Sequence, residues 1–247
     1  MAPEQQDLVD TISRVLAQDP EIEAAWLGGS LGRGAGDAFS DVDVVVLTGA
    51  GQAGKVGERY AKTVALIAEP ALVNPLYGGR ILNVVTTDWR RFDLSFIEPD
   101  DLARFDAARL TSLFNKGDRA PPTPTPAPYR TTPETVLPLV NEFLRVLGLG
   151  VVAVGRQEWL LALRGMDILR GLIVDLMLEE NGVGLVERGG ALRRNPLLTS
   201  DQRRELEALS PVAADREGVI AASAELAAVF LPRARRLADQ IGMAWPS

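Results

Sequence analysis

The stretch that decides the fold is residues 27–47, which read LGGSLGRGAGDAFSDVDVVVL. The short apolar segment 22–27 runs into it and predicts a strand that breaks at the glycines. The β-branched run 41–47 predicts a second strand. Because side chains alternate along a strand, we expect Asp41 and Asp43 on one face, with the valines beside them pointing into the core.

The segments around this stretch alternate between helical and strand-like patterns. Hydrophobic periodicity predicts four more elements, which are helices around residues 8–16 and 56–67 and strands over 80–85 and 90–97. In the last of these strands Phe92, Leu94 and Phe96 fall on one face, and Asp93 falls on the other. The first half of the chain is therefore expected to be a mixed sheet with helices, carrying a third acidic residue on one of its strands.

The composition changes after residue 120. Five prolines in residues 121–128 favour an extended backbone and indicate a connection between domains. Apolar residues at helical spacing then predict helices over 160–177, 201–209 and 215–241. The predicted fold class is α+β, with a mixed-sheet domain over 1–120, a connection over 121–132 and a C-terminal α-helical bundle over 133–247.

Composition and charge narrow the chemistry. The 247 residues include no Cys and no His, which excludes thiolate nucleophiles, Ser-His-Asp triads and metal sites built from these residues. A net charge of −7 argues against binding along a nucleic-acid backbone. The N-terminus lacks signal-peptide character, and the longest nearly apolar run, residues 146–155, is far shorter than the ~20 residues that span a bilayer. A soluble cytoplasmic protein without a membrane partner is expected.

Three inward carboxylates on neighbouring strands would repel one another. At a separation of ~4 Å and an effective dielectric constant near 20, each pair costs about 4 kcal/mol. Such a cluster needs a proton or a cation, and oxygen ligands favour Mg²⁺ or Mn²⁺. The Gly29-Ser30 turn offers backbone N–H groups and a hydroxyl to phosphate oxygens. Acids and turn together predict a site for a phosphate compound and a divalent cation.

The spacing between the Gly-Ser turn and the three acidic residues resembles the motif of a known superfamily. Ten residues separate Ser30 from Asp41-Val42-Asp43, and Asp93 follows on a later strand. An Asp-x-Asp pair alone also arises on polar edge strands, but this combination resembles the nucleotidyltransferase superfamily of the DNA polymerase β type. Within that superfamily it is similar to the antibiotic nucleotidyltransferases that modify aminoglycosides or lincosamides. The resemblance is firm over about 22–97 and looser over 130–245, and it implies a nucleotidyltransferase-type sheet in the first domain.

The resemblance implies a reaction and a metal site. Asp41 and Asp43 would hold two Mg²⁺ ions, or Mn²⁺, and Asp93 would bind one of them and orient the acceptor. A hydroxyl of a small molecule, an aminoglycoside or lincosamide antibiotic among the candidates, would attack the α-phosphorus of ATP or another NTP. The nucleoside monophosphate, AMP if ATP is the donor, would be transferred, and pyrophosphate would be released.

The same resemblance implies nucleotide contacts and a general base. Gly29 and Ser30 would bind the β,γ-phosphates, and Arg33 and Ser40 are candidates for further phosphate contacts. Arg33 is equally an ordinary exposed arginine, and Ser40 a turn residue before its strand. Glu158 is the candidate general base, although a carboxylate there also suits the first turn of a helix, and Asp93 could take the same role.

The sequence also allows two other interpretations, one of residues 49–56 and one of the function of the fold. Residues 49–56, GAGQAGKV, nearly match a phosphate-binding P-loop, but Val56 replaces the hydroxyl residue that coordinates Mg²⁺. A second functional class is a regulatory or toxin–antitoxin protein that uses the same fold to modify or bind a protein partner. The acceptor, the choice between ATP and GTP, the base and the oligomeric state stay open, since related enzymes sometimes build the cleft from two subunits.

Overall fold

The β-branched run 41–47 forms a central strand of a six-stranded sheet in the computed structural model. The structure describes residues 1–123, 128–185, 187–188 and 194–246. The chain divides into two units, Met1–Pro126 and Ala127–Ser247. This division falls inside the predicted connection, of which residues 124–127 lie outside the described residues; the predicted bounds 1–120 and 133–247 stay a prediction.

The first unit is built on the sheet. Its helices are α1 (Pro3–Ala17), α2 (Gly29–Gly32) and α3 (Ala53–Thr63), with short 3₁₀ segments at Val64–Leu66, Pro99–Arg104 and Ala107–Arg109. Its strands are β1 (Ile22–Leu27), β2 (Val42–Thr48), β3 (Pro70–Leu76), β4 (Ile81–Thr86), β5 (Arg91–Ile97) and β6 (Thr111–Asn115). The strand order is β3-β4-β5-β2-β1-β6; β2 and β5 run parallel, and the other neighbours are antiparallel.

The two faces of the sheet are covered differently. The valines and phenylalanines of β2 and β5 pack with Leu8 and Ile12 of α1 and with Val56 of α3 in one continuous core. The opposite face carries a smaller apolar cluster that includes Trp26 and Ile97. Because side chains alternate, Asp43 and Asp93 lie on this second face, as the sequence pattern predicted.

The sequence predicted the four inner strands to within one residue and missed both edges. β3 and β6 are mostly exposed, so they lack the apolar alternation by which a strand is recognised. β3 also contains Pro70 and Pro75, and proline is tolerated in a sheet mainly on an edge strand. The helix predicted around 56–67 ends earlier in the structure, because α3 stops at Thr63, a 3₁₀ segment follows and β3 begins at Pro70.

The second unit is helical. Its helices are α4 (Pro133–Arg156), α5 (Trp159–Glu180), α6 (Ser200–Glu207) and α7 (Arg216–Ile241), with a 3₁₀ segment at Asn195–Leu197. Phe143 of α4 and Phe230 of α7 stack at 3.8 Å between ring centroids, in a core shared with α5. The apolar face of α5 is narrower than its sequence pattern predicted, because Leu160 and Ile168 are exposed.

Helix α4 corrects one expectation. By length and composition alone it is apolar enough to cross a membrane, with a mean hydropathy of 1.7 over its best window. Counting only the uninterrupted run 146–155 missed this, because an apolar helix tolerates scattered polar residues. Val136, Val140 and Phe143 of α4 are fully buried in the helical core, whereas Leu149 and Val151 nearer its C-terminal end are exposed.

Candidate active site

The carboxylates of β2 and β5 form the centre of the site. Asp43 and Asp93 are directly paired across the two parallel strands, and Asp41 immediately precedes β2. Asp43 and Asp93 are each half-buried on the same face of the sheet. The parallel register of β2 and β5 thus brings together three acids, although 52 positions separate Asp41 from Asp93 in the chain.

The electrostatics of this cluster are unfavourable for three negative charges. Burial, followed by the charges of Asp41 and Asp93, raises the pKa of Asp43 to about 6. Burial also raises the pKa of Asp93, and the charge of Asp41 adds to it. Repulsion between like charges in a poorly solvated place has this effect on carboxyl groups. The cluster is therefore a place where a cation would be stabilised.

The turn after β1 lies against these acids. The Gly28 N–H donates to the Asp43 carbonyl at 2.8 Å, which ties the start of α2 to β2. Gly29 has φ +56°, and a Cβ at this position would lie 1.7 Å from Asp43 Oδ2. Only glycine allows the backbone to approach the carboxylate so closely. The turn and Asp43 therefore form one continuous surface.

Ser30 is the most unusual residue of this turn. It is 6% exposed, and its Oγ has no hydrogen-bond partner among the residues that the structure describes. Buried hydroxyls are normally paired, so an orphaned one indicates a missing ligand. Phosphate oxygens, which accept hydrogen bonds, are the partner that its hydroxyl donor suits.

Two further polar residues, which the sequence reasoning missed, contact the acids. The Asn83 side chain, opposite Asp93 on β4, hydrogen-bonds the Asp93 carboxylate and lowers its pKa. Arg91 Nη2 lies 3.8 Å from Asp41 Oδ2, and its charge lowers the pKa of Asp43 and Asp93. The signals were an asparagine inside the apolar strand ILNVVT and an arginine two residues before Asp93, on the same strand face.

The remaining candidates for phosphate binding differ in their surroundings. Arg33 follows α2 directly and is exposed, and its charge lowers the pKa of Asp43, which places it at the rim of the acid cluster. The Ser40 Oγ accepts from the Asp37 N–H at 3.0 Å and donates to the Asp37 carboxylate at 2.9 Å. Ser40 thus has a role in its turn, and phosphate binding by either residue stays a prediction.

Glu158 lies in the second unit. It is exposed at the N-cap of α5, and its side chain makes no capping hydrogen bond within the described part of the unit. Its place at the N-cap is one where the helix N-terminus favours negative charge, so this alternative stays open beside the catalytic one. Its role as general base stays a prediction.

The P-loop-like stretch has a different explanation. Its Gly51 N–H, together with that of Ala53, donates to the Glu98 carboxylate, and these bonds and Arg80 lower the pKa of Glu98. Arg80 Nη2 pairs with Glu98 Oε1 at 2.8 Å. A carboxylate of the chain itself thus occupies the amide groups that hold phosphate in a P-loop.

The residues of the site fit a divalent cation. Within the described ranges, no three acidic side chains already stand in an arrangement that would hold a metal ion. The donor set is nevertheless composed of carboxylate oxygens, the ligands that Mg²⁺ prefers. Asp43 repels its neighbouring carboxylates, and the Ser30 hydroxyl has no hydrogen-bond partner among the described residues, so a cation bound with a phosphate compound would satisfy both.

Comparisons with known proteins give a likeness of fold. No family model matches the chain, and no curated protein sequence does. The structure is similar to an aminoglycoside 6-adenyltransferase from Bacillus subtilis, with a TM-score of 0.45 and 14% identity over 100% of this chain and 94% of that one. It is also similar to a nucleotidyltransferase-like protein from Exiguobacterium sibiricum, with a TM-score of 0.31 and 16% identity over 93% and 75%.

A third similar structure is a STING-associated CdnE c-di-GMP synthase from Capnocytophaga granulosa, with a TM-score of 0.30 and 10% identity over 95% of this chain and 83% of that one. Identities and TM-scores of this size do not assign an activity, which is therefore inferred from the residues of the site.

Proposed function

We propose that this protein is a Mg²⁺-dependent nucleotidyltransferase. It transfers a nucleoside monophosphate, AMP from ATP, to a hydroxyl of a small molecule and releases pyrophosphate. Aminoglycoside and lincosamide antibiotics are the proposed acceptors. One observation carries the proposal: Asp43 and Asp93 face each other across β2 and β5, beside a buried serine hydroxyl without a partner among the described residues.

Different residues of the site bind the phosphates of the donor and the metal ion. The Ser30 hydroxyl and the backbone of Gly29 bind phosphate oxygens of the donor, with Arg33 at the rim. Asp41, Asp43 and Asp93 would hold Mg²⁺, or Mn²⁺ in its place. When bound, the metal supplies charge neutralisation at the phosphate oxygens.

Proton transfer needs a group that can accept the proton of the acceptor hydroxyl. Asp93 is one proposed base, because it lies in the acid cluster and a carboxylate oxygen that does not bind the metal can accept a proton. Glu158 of the second unit is the other proposed base. Asn83 orients the Asp93 carboxylate through its hydrogen bond, so that one oxygen is presented to the acceptor.

An enzyme accounts for the acids better than a pure binding protein does. Like charges side by side destabilise the native state, and a binding module has no use for them. The second class, a regulatory or toxin–antitoxin protein of the same fold, shares the chemistry and differs in the acceptor. The acceptor, and not the donor site, therefore separates the two classes. In either class the proposed location is the cytoplasm.

Pyrophosphate release tests the proposal. The full chain is incubated with ATP or GTP and Mg²⁺ and with kanamycin, streptomycin, lincomycin or purified proteins. We expect release with at least one antibiotic and its loss in Asp43→Asn, while Asp7→Asn, which changes an exposed carboxylate of α1, retains it. Release with a protein acceptor alone would support the second class, and no release with any acceptor would contradict the enzyme.

A further inference from the structure

Two large aromatic side chains stand in solvent at the end of the sheet that carries the acids. Phe39 is 90% exposed and Trp89 is 83% exposed. Phe39 lies in the loop before β2, and Trp89 lies in the turn between β4 and β5. Since β2 and β5 are parallel neighbours, the two loops emerge side by side. A single exposed ring is common on a protein surface, but two that line the same pocket form an apolar patch of the kind that binds ligands.

Hydrogen bonds fix the backbone of both loops. Gln5 Nε2 of α1 donates to the carbonyls of Asp37 and Ser40 at 2.9 and 2.7 Å, which fixes the loop of Phe39. The Trp89 N–H donates to the Thr86 carbonyl at 2.9 Å, and Trp89 has φ +65°, a conformation that non-glycine residues seldom adopt. The backbone therefore presents the two rings in set positions, which reduces the ordering that a ligand must impose.

The two rings line one pocket that adjoins the acids. Its volume is ≈190 Å³, and Asp41 and Arg91 line it together with Phe39 and Trp89. Asp41 raises the pKa of Asp43, so the pocket and the acid cluster share a residue. The pocket is also lined by Gln5 and Leu8 of α1, so a ligand in it would lie between α1 and Asp41, at the border of the acid cluster.

The charges of the pocket are largely balanced. Arg90 Nε pairs with Asp88 Oδ2 at 2.8 Å, and Arg91 Nη2 lies 3.8 Å from Asp41 Oδ2. Since each guanidinium already has a carboxylate nearby, a strongly anionic ligand gains little there. The ring faces of Phe39 and Trp89 are therefore the surfaces of the pocket by which a ligand would be recognised. They suit a ring with apolar C–H faces, and a cationic amino group would also be favoured over an aromatic face.

The strand order indicates whether the pocket of Phe39 and Trp89 binds the nucleotide donor or the acceptor. Gly29 and Ser30, the proposed phosphate contacts, follow β1 on one side of β2, whereas Trp89 precedes β5 on the other side. In phosphoryl transfer the attacking and leaving oxygens are roughly in line. The leaving pyrophosphate on the β1 side therefore places the attacking hydroxyl on the β5 side.

We infer that Phe39 and Trp89 form the acceptor site and stack on a sugar or cyclitol ring that carries the attacking hydroxyl. This inference rests on the proposed function and deepens it, because it names the class of acceptor and the residues that select it. The aromatic pair holds the ring, and the acid cluster acts on its hydroxyl. The ring pair binds no part of the triphosphate.

Calorimetry on the full chain tests the acceptor site without turnover. Kanamycin and lincomycin, both built from hydroxylated rings, are titrated in the presence of Mg²⁺, and Mg-ATP is titrated separately. Phe39→Ala and Trp89→Ala should each weaken binding of at least one antibiotic about tenfold, or about 1.4 kcal/mol. Trp89→Phe, which keeps a ring, should restore most of the affinity, and Mg-ATP should bind all variants equally.

Tyr77→Ala is the matched control. Tyr77 is 78% exposed with φ +51° in the turn between β3 and β4, at the opposite end of β4 from Trp89. The inference is overturned if neither antibiotic binds the wild type, if Phe39→Ala and Trp89→Ala behave like Tyr77→Ala, or if they weaken Mg-ATP instead. Failure of the wild type to bind Mg-ATP would contradict the proposed function. This outcome is distinct from failure of the acceptor site, because antibiotic binding is measured without ATP.

Discussion

At the scale of single residues, Ser30 and Asp43 each destabilise the native state. The Ser30 hydroxyl is buried and finds no partner in the described part of the chain. An unsatisfied buried polar group costs about 1–3 kcal/mol. Asp43 is half-buried and faces two other carboxylates. The proposed phosphate compound and cation would relieve both penalties, so we expect substitutions of these residues to raise stability and lower activity.

The first prediction concerns Ser30→Ala. Because the hydroxyl makes no hydrogen bond with the described residues, its removal should leave the free energy of unfolding unchanged or raise it by about 1 kcal/mol. The loss of one hydrogen bond to a charged phosphate should lower kcat/KM for pyrophosphate release about 10- to 100-fold. Urea unfolding and the release assay measure the two effects. Ser112→Ala, at an exposed serine of β6, is the control, and a destabilised but fully active Ser30→Ala would refute the prediction.

The second prediction concerns the pH dependence of stability. The folded pKa of Asp43, about 6, lies above its unfolded value of about 3.9. The native state therefore binds more protons, and the stability that Asp43 contributes is present below about pH 3.9 and is lost as the pH rises through about 6. Asp43→Asn removes this loss, so it should be more stable than the wild type at pH 8 and no more stable at pH 4.

After a discount for the exposed part of the side chain, the gain of Asp43→Asn at pH 8 should be about 1–2 kcal/mol. Urea unfolding at the two pH values, without metal or nucleotide, measures it. Asp7→Asn reports the generic effect of the substitution at an exposed position. An equal effect of Asp43→Asn at both pH values would show that its carboxyl group is not perturbed.

At the scale of the elements, the local patterns predicted the inner strands and the long helices, and missed what lies at the edges. β1 and β2 are buried at nearly every position and appear in the sequence as continuous apolar runs, whereas β4 and β5 alternate between buried and less buried residues. β3 and β6 pair on one side only and carry exposed residues, which leaves no periodic signal. An edge strand forms because it pairs with a neighbouring strand. The local sequence does not show which segment of the chain that neighbour is.

The C-terminal end of α5 holds a buried ion pair that the sequence did not indicate. Glu179 is 2% exposed, and its carboxylate pairs with the guanidinium of Arg188. The Tyr129 hydroxyl donates to the same carboxylate at 2.8 Å, and the Thr135 hydroxyl donates at 3.1 Å. These bonds tie the chain before α4 and the chain after α5 to one side chain, so Glu179 should be important for the stability of the second unit.

The third prediction is that Glu179→Ala lowers the free energy of unfolding by about 3–5 kcal/mol, because it leaves a buried guanidinium without its counter-charge. The control is Glu142→Ala, which breaks the exposed pair with Arg145 on α4 and should cost less than about 1 kcal/mol. Urea denaturation of the full chain measures both. Equal costs for the two variants would mean that burial does not distinguish the pairs.

At the scale of the whole molecule, a ligand that binds only the native state stabilises it. The fourth prediction is that Mg²⁺ with ATP raises the melting temperature of the full chain, corresponding to about 2.7 kcal/mol at a hundredfold excess over Kd. Asp43→Asn should lose most of this gain while its ligand-free form is the more stable one at pH 8. Differential scanning calorimetry separates the two effects, and an equal shift in both proteins would argue against Asp43 as a ligand of the metal.

The sequence by itself determined the Gly-Ser turn, the Asp-x-Asp strand, the later Asp93 and the change from a sheet to helices. These features are local, since they depend on side-chain alternation, helical spacing and the conformations of glycine and proline. Only the tertiary structure decided that Asp93 lies opposite Asp43, that Asn83 and Arg91 contact the acids, and that Glu98 fills the P-loop-like turn. Those contacts depend on strand order and register, which arise when distant segments pack together and which no single segment encodes.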